Sequence, residues 1–344
     1  MPAPTRLRNV LAALRPAAAA TSVAVEADDT EMRWGGTKEQ MAEFHVLHNG
    51  ELMQEKDIKL SRQDADGFVH GCFDTTRTFG GVPFRMEEHI ARLFQTMKFL
   101  GIKSPYTAEE YIAQGKAVLE ANKEFVAGGD VWIFWKVSPI GFHPEQDGKA
   151  NVIVNIDPIP FPARRAAFAH GIECQVSSVR RAAPEAMSPR VKANANYLNL
   201  MLAEREVQAI NKQLVQLQLD SDGHLCEGNG ANVFIVNDGV VRTPRARTVL
   251  EGISREVAIE LAGKLGYEFA EDDLDIFDIY VADEAFITST SWAICGIRTI
   301  NGRTIGESTP ELPHGPVTRA IMEAYKELVD FDFENQYLNP PVQE

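Results

Sequence analysis

The most informative part of the chain reads Pro189-Arg190-Val191-Lys192-Ala193-Asn194-Ala195-Asn196-Tyr197-Leu198. Apolar residues recur at helical spacing from Tyr197 onward, so Lys192 is predicted to stand just before a helix. Taken alone, such a lysine is usually a solvated charge, and Tyr197 is usually a core tyrosine at the start of the helix. A lysine can also react with carbonyl compounds if a pocket keeps its amine neutral. The other segments of the chain have to decide between these interpretations.

A second segment reads Leu225-Cys226-Glu227-Gly228-Asn229-Gly230-Ala231-Asn232-Val233-Phe234. Its Gly-x-Gly pattern by itself indicates only a turn before a strand. It has no third glycine for a dinucleotide-binding fingerprint and no Gly-Lys-Ser/Thr for a phosphate-binding loop. Gly228 and Gly230 would let the backbone pass close to a ligand. Glu227 would then place a carboxylate beside that ligand.

Three more segments carry polar residues next to predicted helices or strands. They read Phe84-Arg85-Met86-Glu87-Glu88-His89-Ile90-Ala91-Arg92-Leu93, Val249-Leu250-Glu251-Gly252-Ile253-Ser254-Arg255 and Ile287-Thr288-Ser289-Thr290-Ser291. The first could be no more than a salt-bridged helix face. The second could be a helix cap without a ligand, although the N–H groups of a helix N-terminus, with a hydroxyl at the cap, also form an anion site.

Taken in their order along the chain, these segments resemble the motifs of the class IV aminotransferases. The family patterns are Phe-Arg-x-x-Glu-His-x-x-Arg-Leu, Lys-x-x-x-Asn-Tyr-Leu (the branched-chain version), Glu-Gly-x-Gly-x-Asn and Leu-Pro-Gly-Ile-Thr-Arg, whose proline is replaced here by Glu251. The family includes branched-chain and D-amino acid aminotransferases, (R)-selective amine transaminases and aminodeoxychorismate lyases. The resemblance extends from about Phe44 to Leu328 and implies pyridoxal 5'-phosphate (PLP) as the cofactor.

The resemblance assigns a role to each matched residue. It implies that Lys192 bonds to the aldehyde carbon of PLP and later moves the Cα proton of the substrate. Tyr197 would donate to the phenolic oxygen of the cofactor, and Glu227 would keep the pyridine nitrogen protonated so that the ring can accept electrons. The phosphate would be held by a guanidinium, a helix N-terminus and a hydroxyl, which belong to Arg92, Ile253, Ser254 and Thr290.

The segments that shape the substrate site depart from the family. Predicted substrate-binding residues are His70, Phe134, Ser291 and Trp292. Phe134 stands where branched-chain enzymes tend to carry an arginine, and the loop that follows offers only His143. With Trp132 as a further wall, the site would be unusually apolar. The sequence therefore suggests a hydrophobic amine or a bulky apolar amino acid as the donor.

Four functions can be considered for a chain with these motifs. The first is a PLP-dependent transaminase that acts between a hydrophobic, branched-chain-like amino acid or primary amine and a 2-oxo acid such as 2-oxoglutarate or pyruvate. The segment Gly315-Pro316-Val317-Thr318 resembles (R)-selective amine:pyruvate transaminases instead, while the lysine motif resembles branched-chain enzymes. A lyase of the aminodeoxychorismate type is disfavoured by the longer Lys-x-x-x-Asn-Tyr spacing. A non-enzymatic acidic binding protein would require every motif to be fortuitous.

The composition narrows the possible partners. The formal net charge of -15 repels polyanions and argues against nucleic acid as a partner. The four cysteines, Cys72, Cys174, Cys226 and Cys295, are widely spaced, so we expect neither a disulfide framework nor a structural metal, and a reducing compartment such as the cytoplasm. No apolar run is long enough to span a bilayer. A homodimer, in which a loop of the neighbour completes each site, follows from the resemblance.

The predicted organisation has four parts. Residues 1–40 form an N-terminal arm, for which an organellar presequence is the alternative to a flexible or partner-embracing segment. Residues 41–156 form a smaller α/β domain that shapes the substrate site, and residues 166–344 form a larger PLP-binding domain. Between them, residues 157–165 include Asp157-Pro158-Ile159-Pro160-Phe161-Pro162, whose prolines favour an extended linker and exclude a helix.

Strand and helix signals mingle without steady alternation, which predicts an α+β fold. The resemblance specifies this as the two-domain fold type IV of D-amino acid aminotransferases, with a β-barrel-like core in the larger domain. Predicted helices cover residues 87–100, 108–122, 197–211, 254–265 and 316–328. Predicted strands include residues 44–48, 68–79, 131–137, 151–156, 172–179, 214–219, 231–236, 240–243 and 284–288.

Overall fold

The computed structural model describes residues 41–126, 129–141 and 150–341. The predicted N-terminal arm and His143 therefore lie outside the described residues. Within them, the fold consists of two β-sheets with helices packed against them. The predicted α+β class and the fold type IV architecture are confirmed.

The first sheet is antiparallel throughout. Its strands are β1 (His45–His48), β2 (Glu51–Gln54), β3 (Cys72–Phe79), β4 (Val82–Pro83), β5 (Val131–Pro139) and β6 (Ala150–Pro158), in the order β2-β1-β6-β5-β3-β4. Asn49 and Gly50 connect β1 to β2 with φ angles of 53° and 87°. Both angles are positive, as a two-residue type I′ hairpin turn requires.

Three helices accompany this sheet: α1 (Arg62–Phe68), α2 (Met86–Leu100) and α3 (Ala108–Ala121). The apolar face of α2 is buried and contains Ile90, Leu93 and Met97, as its helical spacing predicted. The predicted strand over residues 68–79 is wrong at its start, because Phe68 is the last residue of α1 and β3 begins only at Cys72. A capping box at Ser61 starts α1, and Ser61 was not recognised as a cap in the sequence.

The second sheet closes on itself through six strands. These are β7 (Ile172–Val176), β8 (Val215–Leu219), β9 (Leu225–Gly228), β10 (Ala231–Asn237), β13 (Glu284–Ser289) and β14 (Ala293–Ile300). Going around the ring, β7 pairs with β8, then β9, β10, β13 and β14 follow, and β14 pairs again with β7. Strands β11 (Val240–Pro244) and β12 (Glu268–Asp272) extend the sheet from β10, and β15 (Arg303–Thr304) pairs with β14. The predicted barrel-like core is therefore present.

The remaining helices cover this barrel. They are α4 (Phe161–His170), α5 (Asn194–Gln208), α6 (Ile253–Lys264), α7 (Ile276–Tyr280), α8 (Pro316–Val329) and α9 (Phe333–Leu338), with 3-10 turns at Glu55–Asp57 and Ala246–Thr248. No helix among residues 41–126, 129–141 and 150–341 is long and apolar enough to cross a membrane.

The expected extended linker at residues 157–165 is wrong in its local structure. Strand β6 continues to Pro158, and α4 begins at Phe161. Pro162 lies in the first turn of α4, where a missing N–H costs no intrahelical hydrogen bond and the fixed φ angle suits the helix. Only Ile159 and Pro160 separate the two elements. The division of the chain at this point into two domains remains a prediction.

Candidate functional site

Backbone hydrogen bonds hold Lys192 against β3 of the first sheet. The N–H of Phe73 donates to the carbonyl of Lys192 over 3.2 Å, and the N–H of Asn194 donates to the carbonyl of Gly71 over 3.0 Å. The N–H of Lys192 also donates to Oγ1 of Thr96 over 3.4 Å. Lys192 therefore lies where β3 and the start of α5 meet.

The loop before Lys192 is closed by a side chain from α5. Nδ2 of Asn196 donates to the carbonyls of Val191 at 2.7 Å and Ser188 at 2.9 Å. This explains why α5 begins at Asn194, three residues before the predicted start. The asparagine of the lysine motif thus shapes the loop from which the lysine projects.

The amine of Lys192 is enclosed by aromatic rings. Lys192 is 8% exposed, and its Nζ donates to Oη of Tyr197 over 2.7 Å. Nζ also lies 4.7 Å from the ring centroid of Phe73, and that ring packs 4.8 Å from the ring of Tyr197. The amine is shielded from bulk water and has one hydroxyl neighbour that can orient it.

Glu227, at the end of β9, is a buried carboxylate with fixed orientation. Its Oε1 accepts from Nε of Arg181 at 2.9 Å, and its Oε2 accepts from the N–H of Leu250 at 3.0 Å. Burial raises the pKa of Glu227, and the neighbouring Arg181 guanidinium opposes that rise. Nη1 of Arg181 is buried without a hydrogen-bond partner among the described residues. This corner of the pocket retains unused hydrogen-bonding capacity.

The two motif glycines have different structural roles. Gly230 adopts a φ of +68° in the turn between β9 and β10, a conformation that favours glycine, and it lines the pocket. Gly228 lies against β8, because a Cβ there would come 2.8 Å from the carbonyl oxygen of Gln216. Close approach to a ligand is therefore possible for Gly230, whereas Gly228 is needed for strand packing.

The N-terminus of α6 points its first turn at the same pocket. Gly252 is the N-cap, without a side-chain capping bond, so the expected capping hydroxyl is not found, and Ser254 is the second residue of the helix instead. A Cβ on Gly252 would come 2.2 Å from Oδ1 of Asn232, while Nδ2 of Asn232 donates to the carbonyl of Leu250 over 2.8 Å. The first-turn N–H groups have no intrahelical acceptor and suit an anion.

Arg92 is held by the buried carboxylate of Asp74, which was not among the predicted site residues. Nε and Nη2 of Arg92 donate to the two oxygens of Asp74 at 2.8 Å each, and Nη1 donates to the carbonyl of Glu251 at 2.9 Å. Nδ1 of His89 lies 2.7 Å from Oδ1 of Asp74. Burial alone would raise the pKa of Asp74, but Arg92 and His89 hold it well below its usual range. The guanidinium is thus fixed at the pocket wall.

Seven predicted residues from separate segments line this one pocket: Arg92, Lys192, Tyr197, Glu227, Ile253, Ser254 and Thr290. Thr290 is tied to the first sheet, because its Oγ1 donates to the carbonyl of Thr75 over 3.3 Å. An amine, a carboxylate and an anion site with one cation therefore surround the same space. This set fits a cofactor that carries an aldehyde, a ring nitrogen and a phosphate.

The predicted substrate residues are placed less uniformly. His70 is exposed in the turn before β3. Phe134 is half-buried on β5, where its ring packs 5.9 Å from that of Trp132. Ser291 and Trp292 follow β13, and their N–H groups donate to Oγ of Ser289 at 3.1 and 2.9 Å. None of the four lines the pocket that contains Lys192.

Three charged residues were missed in the sequence: Asp74, Arg181 and Arg164. Asp74 and Arg181 are fully buried partners of pocket residues. Asp74 could have been recognised as a charged residue within a stretch that otherwise predicts a buried strand. No local pattern pointed to Arg181 or Arg164, because their partners are distant in the chain.

Comparison with known proteins places this geometry in a family. The sequence model of the amino-transferase class IV family matches residues 71–300. The branched-chain-amino-acid aminotransferase of Escherichia coli strain K12 is 30% identical over 85% of this chain and 95% of its own length. The corresponding protein of Pseudomonas aeruginosa is 30% identical over 83% of this chain and 92% of its own.

Solved structures agree with the sequence comparison. A crystal structure of the Escherichia coli branched-chain amino acid aminotransferase superposes with a TM-score of 0.75 at 29% identity, covering 83% of this chain and 94% of the other. A second branched-chain amino acid aminotransferase, crystallised with pyridoxamine 5'-phosphate, gives a TM-score of 0.73 at 28% identity, covering 83% of this chain and 93% of the other.

The buried ion pair beside the pocket gives a stability prediction. Asp74→Asn should lower the free energy of unfolding at pH 7 by about 3–5 kcal/mol, because Arg92 stays buried without its countercharge. Asp74 has a lowered folded-state pKa, so its contribution is present above the unfolded pKa and is lost in acid. The difference from wild type should therefore narrow below about pH 5, as urea unfolding of the holoenzyme would show.

Glu120→Gln is the matched control, since Glu120 forms an exposed ion pair with Lys123. Its unfolding midpoint should equal that of the wild type. An Asp74→Asn protein as stable as the wild type at pH 7 would contradict the assigned role of this carboxylate.

Proposed function

This chain belongs to the class IV aminotransferase family, and from that premise we propose that it moves an amino group between a hydrophobic amino acid or primary amine and a 2-oxo acid. It is a PLP-dependent transaminase. The observation that carries the proposal is the meeting of Lys192, Glu227 and the anion site of Arg92 and α6 in a single pocket.

Lys192 is the proposed covalent anchor and proton carrier. When bound, PLP supplies an electron sink that stabilises negative charge at the substrate's Cα. Lys192 would hold the cofactor through its Nζ, and the same amine would serve as the base that takes the proton from the substrate's Cα. The hydroxyl of Tyr197, 2.7 Å from Nζ, orients that amine and would help to hold the cofactor.

Glu227 is the proposed partner of the ring nitrogen. Arg181 and the N–H of Leu250 fix both carboxylate oxygens, so the group is oriented before the cofactor arrives. A carboxylate in this position keeps a proton on the ring nitrogen, which increases the electron-accepting capacity of the ring. The ion pair with Arg181 also helps the carboxylate to stay ionised although burial raises its pKa.

The phosphate end of the site combines three kinds of donor. Arg92 supplies a charged guanidinium whose position is fixed by Asp74. Ile253 and Ser254 supply N–H groups of the first turn of α6 together with the hydroxyl of Ser254. Thr290 adds a second hydroxyl. Helix N-termini and guanidinium groups both favour a dianionic phosphate.

The preference for a hydrophobic donor is inferred from aromatic side chains outside the pocket that contains Lys192. Phe134 and Trp132 form one aromatic pair, and Trp292 stacks on Phe168 with ring centroids 6.0 Å apart. Aromatic walls favour an apolar side chain on the donor. Relatives named branched-chain-amino-acid aminotransferases point in the same direction.

A donor and acceptor panel tests the proposal. The holoenzyme would be supplied with leucine, valine, glutamate, D-alanine or either enantiomer of 1-phenylethylamine, with 2-oxoglutarate or pyruvate as acceptor. Mass spectrometry of both products would detect the exchanged amino group. We expect the highest kcat/KM for a hydrophobic donor, because only its side chain gains from burial against the aromatic walls.

Two variants serve as controls in the same assay. Lys192→Ala should exchange no amino group with any donor, and Glu227→Gln should keep the cofactor while kcat falls roughly 100-fold. Use of polar or acidic donors alone would overturn the hydrophobic-donor proposal. Release of pyruvate from added aminodeoxychorismate, with no amino exchange for any donor of the panel, would identify a lyase. Exclusive use of (R)-1-phenylethylamine would identify an (R)-selective amine transaminase.

The assembly proposed for this enzyme is a homodimer. Helix α5, which follows Lys192, carries three exposed apolar side chains at helical spacing, those of Leu198, Met201 and Leu202. A stripe of this kind is typical of a protein interface. A second copy of the chain is the proposed partner, because closed two-fold pairs are the commonest soluble assemblies.

Leu202→Glu should shift the protein from dimer to monomer in light scattering at micromolar concentration, because a charge would be buried at the interface. Leu265→Glu is the control, since Leu265 is exposed directly after the last residue of the barrel-covering helix α6, and the dimer should persist in that variant. A wild-type protein that is monomeric under these conditions would refute the assembly.

A further inference from the structure

Arg164 is a cation that lies among aromatic residues next to the pocket wall. It belongs to α4 and is half-buried. Its guanidinium carbon lies 4.5 Å from the ring centroid of Trp292 and 5.6 Å from that of Trp132. These are two of the rings that are proposed above to contact the donor. The side chain therefore sits between the two aromatic surfaces expected to contact the substrate.

A hydrogen bond connects Arg164 to the turn that carries Thr290. Nη1 of Arg164 donates to the carbonyl of Ser291 over 2.7 Å. Ser291 directly follows Thr290, which lines the pocket around Lys192. The guanidinium thus contacts the residue that follows a pocket-lining residue, and that residue, Ser291, is one of the predicted substrate-binding residues.

The charge of Arg164 has no countercharge in the described part of the chain. None of the described carboxylates forms an ion pair with it. The neighbouring cation Arg77 differs, because its Nη2 lies 3.9 Å from Oδ2 of Asp130. Burial lowers the pKa of Arg164, and Arg77 lowers it further, whereas Tyr337 opposes the change. An anion bound at Arg164 would favour the charged guanidinium and so oppose this lowering of the pKa.

Two residues that adjoin Thr290, one in sequence and one through a hydrogen bond, carry hydroxyl groups with unused hydrogen-bonding capacity. Oγ of Ser291 and Oγ1 of Thr75 are buried without a hydrogen-bond partner among the described residues. Thr75 pairs with Phe134 in the sheet and accepts from Thr290 through its carbonyl. These hydroxyls are therefore available to hydrogen-bond a bound ligand.

We propose that Arg164 binds a carboxylate of the substrate, assisted by the hydroxyls of Ser291 and Thr75. A guanidinium is suited to this because it presents several N–H donors in one plane. The proposal rests on the transaminase function and assigns a side chain of this chain to the recognition of a substrate carboxylate. Branched-chain enzymes tend to carry an arginine at the position of Phe134 on β5. In this chain the corresponding positive charge would come from Arg164 on α4.

The carboxylate could be the one beside the reacting carbon or the far one of a dicarboxylic 2-oxo acid. Both share the same recognition chemistry, and the choice of acceptor distinguishes them. If kcat/KM of Arg164→Gln falls with both pyruvate and 2-oxoglutarate, Arg164 binds the carboxylate beside the reacting carbon. If it falls only with 2-oxoglutarate, Arg164 binds the far one.

Direct binding to the holoenzyme tests the proposal without turnover. Hexanoate and its neutral analogue hexanamide would be titrated into wild type, Arg164→Gln and Arg164→Lys by calorimetry. The wild type should prefer hexanoate roughly 10- to 100-fold, the range expected for a hydrogen bond to a charged group. Arg164→Gln should lose that preference and bind hexanamide as before, while Arg164→Lys should keep part of it as a point charge.

Three results would overturn the proposal: a wild type without preference for the carboxylate, an Arg164→Gln protein that retains the preference, or an equal loss of hexanamide binding. The last result would identify a purely structural role. Because no catalysis is required, failure of this test is distinguishable from failure of the transaminase proposal, which the donor panel measures.

Discussion

Two backbone hydrogen bonds between the Lys192 segment and the start of β3 are the constraint on which the site depends. The N–H of Phe73 and the carbonyl of Gly71 belong to the first sheet region, while Lys192 and Asn194 belong to the segment that begins α5. A lysine has a long, flexible side chain, so its amine is positioned only if its backbone is fixed. Pairing with a strand fixes that backbone, and the rings of Phe73 and Tyr197 then confine the amine.

Buried charges in the pocket are each oriented by a partner behind them. Asp74 holds Arg92, and Arg181 holds Glu227. Such pairs contribute little net stability because both ions lose water, so their value lies in orientation: each partner fixes the group that faces the cofactor site. Arg164 differs from both, because its guanidinium contacts rings and a carbonyl. The site thus combines two ion pairs with a cation that no described carboxylate pairs, and this cation is the proposed contact for a substrate carboxylate.

Much of this site could be predicted from local sequence. Lys192, Glu227, Arg92 and Thr290 lie in short motifs, and the structure brings all four to one pocket, although their chemical roles remain proposals. The helices that carry apolar stripes, such as α2, were also predictable from periodicity. Residues defined by distant contacts were not. Asp74 meets Arg92 across 18 positions and Arg181 meets Glu227 across 46, and no spacing rule reports such pairs. The helix at Phe161 was missed because prolines were taken as breakers, although Pro162 sits in a first turn where proline is tolerated.

Chemical trapping can show directly whether the amine of Lys192 is the group bonded to the cofactor. The holoenzyme would be reduced with borohydride, digested and analysed by peptide mass spectrometry. We expect the mass of the reduced cofactor on the peptide that contains Lys192, and we expect the yellow colour of the protein to be lost on reduction. Modification of a different lysine, or a Lys192 peptide that remains unmodified while the cofactor is fully reduced, would contradict this expectation.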